Sequence, residues 1–239
     1  MKILIVNDDG IRSEGIKLLE DKLQKYGDVY CVAPLNEQSG NSHSITIRRK
    51  FKVEKINDRK YGIDGTPADC VKFGMFIFGK KFDLIVSGIN DGPNLGNDIF
   101  YSGTVGAASE GILNKVPSIA MSVISKNDFM YADEKFDEVF RYIIDGNLLS
   151  DEVVLNVNFP SSKNGYNGIK LTEQGIKYYE FSFKETDGEY HNVTKNLILD
   201  ERPTADVVAC INGHTSITPL KMNRTDKGYL SKIKEAKPL

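Results

Sequence analysis

The sequence predicts an α/β fold: a Rossmann-like, mostly parallel sheet sandwiched by helices, with a β-rich C-terminal extension used in oligomerisation. Three observations predict it. The chain opens on an aliphatic run, Lys2-Ile3-Leu4-Ile5-Val6, that breaks into Asn7-Asp8-Asp9-Gly10. Such a run reads as a buried strand opening into a turn. Strand-like and helix-like segments then alternate as far as about Asp151, after which strand-like segments follow one another without helices between them. The expected organisation is a Rossmann-like catalytic core over 1–150 and an extension over 151–239, packed on the core and on a partner subunit.

Each element has its own signal. Gly15 to Leu23 carries helical apolar spacing, and Asp28 to Ala33 reads as a second buried strand stopped by Pro34. Asn36 to Ser42 is a polar loop. Ile45 to Ile63 holds β-rich stretches broken by Asn57-Asp58, which suits a hairpin. Gly65-Thr66-Pro67-Ala68-Asp69 starts a helix, because Thr66 can cap, Pro67 suits the first helical position and Asp69 favours the positive helix end. Phe82 to Val86 is another buried strand, followed by a glycine- and asparagine-rich loop from Ser87 to Asp98. Tyr101 to Ala108 opens a helix of small residues, Val116 to Val123 is a strand, and Phe136 to Ile144 is a helix. In the second half, Val153 to Val157, Gly168 to Thr172 and Tyr178 to Phe183 read as strands, and Ser216 to Leu220 ends a late one. Sheet edges left without covering helices invite pairing with another chain.

Bulk properties narrow the function. The chain has 239 residues, 40% hydrophobic and 27% charged, which suits a globular protein with a full core. A net charge of -2 argues against binding a nucleic-acid polymer, which favours a basic footprint. A small phosphorylated ligand needs only one local site. Cys31, Cys70 and Cys210 lie far apart without zinc spacing and read as free thiols. No apolar run reaches the ~20 residues of a membrane span, and Met1-Lys2 leads straight into a strand without a secretory leader. A cytoplasmic, reduced protein with no membrane partner is the expectation.

The chemistry gathers on three loops that follow predicted strands. They carry Asp8 and Asp9, Ser39, and Asn90 through Asn94. In a parallel sheet all three lie on one edge, where ligands bind. Adjacent carboxylates repel, and a hard divalent cation relieves the repulsion through oxygen ligands. Two carboxylates, a serine hydroxyl and an asparagine carbonyl suit Mg²⁺, Mn²⁺ or Ca²⁺ and do not suit a thiolate zinc site. The competing reading of Asp8-Asp9-Gly10 is a solvated turn. Ser102-Gly103-Thr104 offers hydroxyls, a glycine that permits close approach, and amides at a helix start, a set that suits phosphate. Plain N-capping by Ser102 or Thr104 is the competing reading, and Asn94 can equally be a turn residue. His43, near Ser39, and the run Arg48-Arg49-Lys50 read as surface features.

Taken in order, these motifs resemble the SurE family of survival-protein-E nucleotidases. The match rests on Asn7-Asp8-Asp9-Gly10, Ala33-Pro34 with Ser39-Gly40, Gly65-Thr66-Pro67-Ala68-Asp69-Cys70-Val71, Ser87-Gly88-Ile89-Asn90, Gly92-Pro93-Asn94-Leu95-Gly96 and Tyr101 to Ala108. Leu155 to Pro160 and Ser216 to Leu220 extend it through most of the chain. The resemblance implies a divalent-metal-dependent phosphatase acting on nucleoside 5′- and 3′-monophosphates, with polyphosphate as a further substrate. It implies one divalent cation per subunit on Asp8, Asp9, Ser39 and Asn90, with Asp8 and Asp9 also catalytic. Asn94, Ser102, Gly103 and Thr104 fall on the phosphate site, and the subunits are expected to form a homodimer or homotetramer. The chain departs from the family pattern at Ser13-Glu14-Gly15, Ala205-Asp206 and His214, none of which removes a ligand.

Rival readings fail on particular residues. An aspartyl-phosphate phosphatase separates its two acids by one residue, whereas Asp8 and Asp9 are adjacent. A phospho-receiver module needs an acid at the end of a later strand, where this chain has Asn90. A dinucleotide site wants GxGxxG after the first strand, where this chain has Asn7-Asp8-Asp9-Gly10.

Overall fold

The computed structural model describes residues 1–79 and 81–236. In chain order the elements are β1 (Lys2–Val6), α1 (Glu14–Leu23), β2 (Asp28–Pro34), β3 (Val53–Asn57), β4 (Lys60–Ile63), α2 (Pro67–Ile77), β5 (Leu84–Asp91), α3 (Gly103–Leu113), β6 (Ser118–Val123), α4 (Met130–Glu134) and α5 (Phe136–Asp145). They continue with β7 (Val153–Phe159), β8 (Ile169–Leu171), β9 (Lys177–Thr186), β10 (Glu189–Leu199), α6 (Asp206–Ile211), β11 (Thr215–Lys221) and α7 (Lys227–Ala236). Among the described residues, no helix is long and apolar enough to cross a membrane.

The main sheet has nine strands in the order β3-β4-β2-β1-β5-β6-β7-β11-β8. The run β4-β2-β1-β5-β6-β7 is parallel throughout, and β3 and β11 run antiparallel to their neighbours β4 and β7. The chain leaves β1 toward β2 on one side and returns through β5 on the other. The crevice at the carboxyl ends of β1 and β5 is thus a topological switch point, the place where such sheets bind ligands.

The aliphatic run of β1 is apolar on both faces because both faces are covered. Ile3 and Ile5 join Ile16, Leu19 and Leu23 of α1 and Phe136, Val139, Phe140 and Ile143 of α5 in one buried cluster. Leu4 and Val6 face the other way, onto Cys70, Val71 and Met75 of α2 and Ala107 of α3. Strand period 2 therefore sends alternate side chains into two helix layers. Helix starts follow their caps. Ser13 accepts from the Ile16 N–H, and Thr66 and Asp69 form a reciprocal capping box with Pro67 at the first helical position.

The structure amends the sequence reading in three places. β5 does not stop at Val86: it continues through Asn90 to Asp91, pairing Asn90 with Ser122 and Asp91 with Val123 after a register shift. Gly88 has a φ of +136° there, and a Cβ on it would lie 2.2 Å from the Met121 carbonyl oxygen. Only glycine lets the strand carry its polar end this close to β6. The stretch from Asp151 is also less uniformly β than expected, since it contains α6 and α7. Finally, β7, β8 and β11 from that stretch belong to the main sheet, while β9 and β10 stand apart as a two-stranded antiparallel ribbon.

Candidate active site

Asn7 shapes the turn that ends β1. Its side-chain amide donates to the Gly10 carbonyl at 3.1 Å and to the Ser13 hydroxyl at 2.8 Å, while its carbonyl accepts from the Gly10 N–H at 3.2 Å. Gly10 takes a φ of +105°, which a side chain would strain. The turn delivers two carboxylates into different surroundings. Asp8 is buried beneath the start of α3, where the Thr104 hydroxyl donates to one oxygen and the Thr104 N–H to the other at 3.2 Å. Burial raises the Asp8 carboxyl above its ordinary value, and donors from Thr104 and Gly103 oppose the shift without cancelling it.

Asp9 faces a cleft of about 400 Å³ that it lines with Ser39, Asn90, Glu37, Asp91 and Lys126. Its Oδ2 accepts from the Asp91 N–H at 3.0 Å, which ties the end of β1 to the end of β5. Burial pushes the Asp9 carboxyl up to about 6, helped by the like charges of Asp8, Asp91 and Glu37. Ser39 reaches the same cleft from the loop after β2, its hydroxyl donating to Glu37 at 2.6 Å. The loop is fastened beneath by the Gln38 N–H, which donates to the Asp8 carbonyl at 2.7 Å. Asn90 donates its amide to the Gly92 carbonyl at 2.8 Å, which leaves its side-chain oxygen as the atom on offer to a ligand.

The four residues expected to bind phosphate have three different surroundings. Gly103 lies directly on Asp8: a Cβ there would come within 2.9 Å of both Asp8 Cβ and Asp8 Oδ2. Thr104 is fully buried, with its hydroxyl committed to Asp8. Ser102 caps α3, accepting from the Val105 N–H at 3.0 Å. A hydroxyl accepts and donates at once, so the cap leaves its proton for another acceptor. Asn94 does not line the cleft over Asp9. Its N–H donates to Asn158 at 3.0 Å, its amide to Ser122 at 2.7 Å, and its carbonyl accepts from Asn156 and Asn158.

Sequence reasoning passed over several residues that the fold brings here. Asp91 and Glu37 add negative charge beside Asp9, and Lys126 is the cation of the cleft. Asn156 and Asn158 are fully buried on β7 and hold the loop carrying Asn94. A signal for them exists, since Asn at alternate positions within an aliphatic strand points both amides to one buried face.

The donor chemistry fits a divalent cation. Two carboxylates and two neutral oxygens are hard ligands, and Asp9 lies among like charges that a cation would relieve. Among the described residues no cluster of three or more His, Cys, Asp or Glu is placed to hold a metal.

A model of the family described as "Survival protein SurE" matches residues 3–181. The chain is 41% identical to the "5'-nucleotidase SurE" of Pelotomaculum thermopropionicum over 249 residues, covering 98% of this chain and 95% of that protein. It is 39% identical to the protein of the same name from Thermosipho melanesiensis, covering 98% of this chain and 97% of that one. Among solved structures, the SurE protein from Aquifex aeolicus superposes with a TM-score of 0.83 at 36% identity and covers 99% of both chains.

Proposed function

Because the chain belongs to the SurE family, we propose that it is a 5′-nucleotidase, a phosphatase that needs a divalent cation and releases phosphate from nucleoside monophosphates. Its substrates include both 5′- and 3′-monophosphates, and polyphosphate is a further one. The observation that carries the reading is the pair of adjacent carboxylates at the switch point, Asp8 buried and pinned under α3 and Asp9 half-buried in the wall of an acidic cleft and raised to about 6.

One cation per subunit, Mg²⁺ or Mn²⁺, with Ca²⁺ able to take its place, would be held by Asp8, Asp9, Ser39 and Asn90. When bound it supplies Lewis acidity toward a phosphoryl oxygen and toward water. The chain's own groups do the rest. Thr104 and the Gly103 backbone fix Asp8, so its oxygens are aimed before substrate arrives. The Ser102 proton, left over by the cap, serves the phosphoryl oxygens as charge builds on them. The amides of Gly103 and Thr104 are turned toward Asp8, so these two residues act on phosphate through the carboxylate they hold. Asn94 sets the loop between β5 and α3. One of the two aspartates takes the proton of the attacking water. Assembly as a homodimer or homotetramer uses the segment after Asp151.

The test is a turnover panel of nucleoside 5′- and 3′-monophosphates and polyphosphate with Mg²⁺, Mn²⁺ and Ca²⁺, before and after chelation. Phosphate release that needs a cation is expected. Full activity after exhaustive chelation would overturn the reading.

A further inference from the structure

One face of α3 touches two of the loops that hold site residues. Gly103, Gly106 and Glu110 stand three and four residues apart, so they share that face. Gly103 packs on Asp8, where a Cβ would come within 2.9 Å of the carboxylate. Gly106 meets the loop that follows β2, where a Cβ would sit 2.5 Å from the Ser42 carbonyl oxygen. Glu110 meets the next residue of that loop, its Oε2 lying 2.9 Å from His43 Nε2. The same loop carries Ser39.

Ser39 stands on the open tip of this loop. It is exposed, and Gly40 beside it takes a φ of +75° with nothing within 4 Å of the place its Cβ would take. The tip is therefore placed by the two ends of the loop. At one end the Gln38 N–H donates to the Asp8 carbonyl at 2.7 Å. At the other, Ser42 takes a φ of +53°, uncommon for a residue with a side chain, and needs its neighbours to keep it there. Its N–H donates to the Tyr101 carbonyl at 2.9 Å and its hydroxyl to the Phe100 carbonyl at 2.7 Å. The Asn41 amide joins the ends, donating to the Gln38 carbonyl at 3.1 Å and to its side-chain oxygen at 2.8 Å.

Glu110 is the one charged residue of α3, and it is buried. A buried charge without a partner is costly, and an apolar side chain would serve helix packing as well. Burial alone would raise the Glu110 carboxyl, but the hydrogen bond with His43 and the charge of Lys72 outweigh it and hold the group below its ordinary value. An ionised carboxylate only accepts, so His43 Nε2 carries the proton between them. Among the described residues no other ion pair reaches the segment 36–46. Resting on the nucleotidase reading, we propose that His43 and Glu110 are positioning residues for the reaction: their pair docks the Ser39 loop on the face of α3 that also packs on Asp8, and so sets the spacing between two ligands of the cation. Neither residue touches the cation or the substrate in this role. They act through Ser39, by fixing the far end of the loop whose near end is tied to Asp8.

The experiment measures Mn²⁺ binding to the full chain by electron paramagnetic resonance, with AMP turnover beside it. His43→Ala is expected to raise the Mn²⁺ dissociation constant by about tenfold, the scale on which groups behind a metal ligand act. The Mn²⁺ concentration that gives half-maximal turnover should rise with it. His43→Gln returns an N–H donor to Glu110 and should bring both quantities back toward the wild-type values. Lys60→Met, which breaks the 2.7 Å Lys60–Glu20 pair between β4 and α1, is the control for lost stability and should leave Mn²⁺ binding unchanged. Wild-type Mn²⁺ affinity in His43→Ala, with only a lowered melting temperature, would overturn the inference and leave the nucleotidase reading standing. An equal loss of affinity in Lys60→Met, or a His43→Gln protein no better than His43→Ala, would overturn it as well. A wild-type chain that binds Mn²⁺ but releases no phosphate from AMP would instead overturn the nucleotidase reading.

Discussion

The carboxyl edge of β1 and β5 and the ribbon of β9 and β10 are opposites. At the edge, polar groups are buried: Asn7, Asp8, Asn94, Thr104, Asn156 and Asn158 are almost wholly shielded from solvent. On the ribbon, apolar groups are exposed: Phe181, Phe183 and Tyr190 stand 60–70% accessible, beside Tyr178 and Leu197. Each region inverts the usual partition of side chains, and such inversions are the informative ones. Buried polar groups need hydrogen-bond partners, and of those named only the Asn156 side-chain oxygen lacks one, so the edge is rigid and specific. Exposed rings on an isolated ribbon make few obligations within the chain and leave area for another surface. Under the proposed function, chemistry falls to the first region and assembly to the second.

The largest test of that contrast is Asp8→Asn or Asp9→Asn. Either should cut turnover by about 10³ or more, since charge balance for the cation and the proton acceptor go together. The fold should persist, because an amide at position 8 still accepts from the Thr104 N–H through its carbonyl oxygen. Steady-state kinetics beside circular dichroism would show it. Unchanged turnover in both variants would remove the edge from the chemistry.

Ser102→Ala separates a cap from a donor. Losing the donor should slow turnover by about 10²–10³, and losing the cap should cost about 1 kcal/mol of stability. Both losses are expected, because the hydroxyl plays both parts. Wild-type kinetics with a lowered melting temperature would leave only the cap.

Cation binding should stabilise the chain by about 2.7 kcal/mol at a hundredfold excess over Kd. The effect should depend on pH with a definite sign. Asp9 is raised from 3.8 to about 6 in the cation-free fold, so its contribution to stability is favourable below its unfolded value and lost as pH rises through 6. The rise in melting temperature on adding Mn²⁺ should therefore be larger at pH 8 than at pH 5. An equal rise at both would place the cation away from Asp9.

The smallest expected effect on chemistry belongs to the ribbon. Phe183→Ser should weaken self-association by about tenfold, the worth of one buried aromatic side chain at an interface, and should leave turnover per chain within about a factor of two. Sedimentation at micromolar concentration measures the first. A 26.7 kDa species for the intact chain would leave the ribbon without a partner of its own kind.

How much was legible divides along the same line. β1 and the acid pair can be read because a buried parallel strand is a plain aliphatic run and its end is marked by composition. The helix starts at Thr66 and Ser102 can be read because capping is local. The extension of β5 to Asp91 cannot, since Gly88-Ile89-Asn90-Asp91 has loop composition and is held as a strand by pairing with β6. β10 hides for a similar reason: Glu189 to Leu199 is largely polar, and its strand form comes from β9. α6 carries no helical signal in the sequence, because Val207-Val208 is β-branched, and it is fixed by Asp206, which accepts from the Gly96, Gly175 and Val207 N–H groups. Asn94 and Ser102 are visible as residues, but whether they face the Asp9 cleft or the packing behind it depends on contacts from β7 and from the segment after β11.

In the proposed cation site, the unequal fastening of Asp8 and Ser39 would have a consequence for selectivity among metals. Asp8 is locked by donors from α3, whereas Ser39 sits exposed on a loop, its hydroxyl tied only to the nearby Glu37. A coordination sphere rigid on one side and adjustable on the other accommodates different ionic radii by moving the adjustable side. Mg²⁺ takes oxygen at about 2.0–2.1 Å and Ca²⁺ at about 2.3–2.6 Å, so the larger ion would push the Ser39 loop outward while Asp8 stayed still. Affinity would then vary gently along the series, whereas rate, which depends on how far the ion stands from Asp8 and Ser102, would fall steeply with radius.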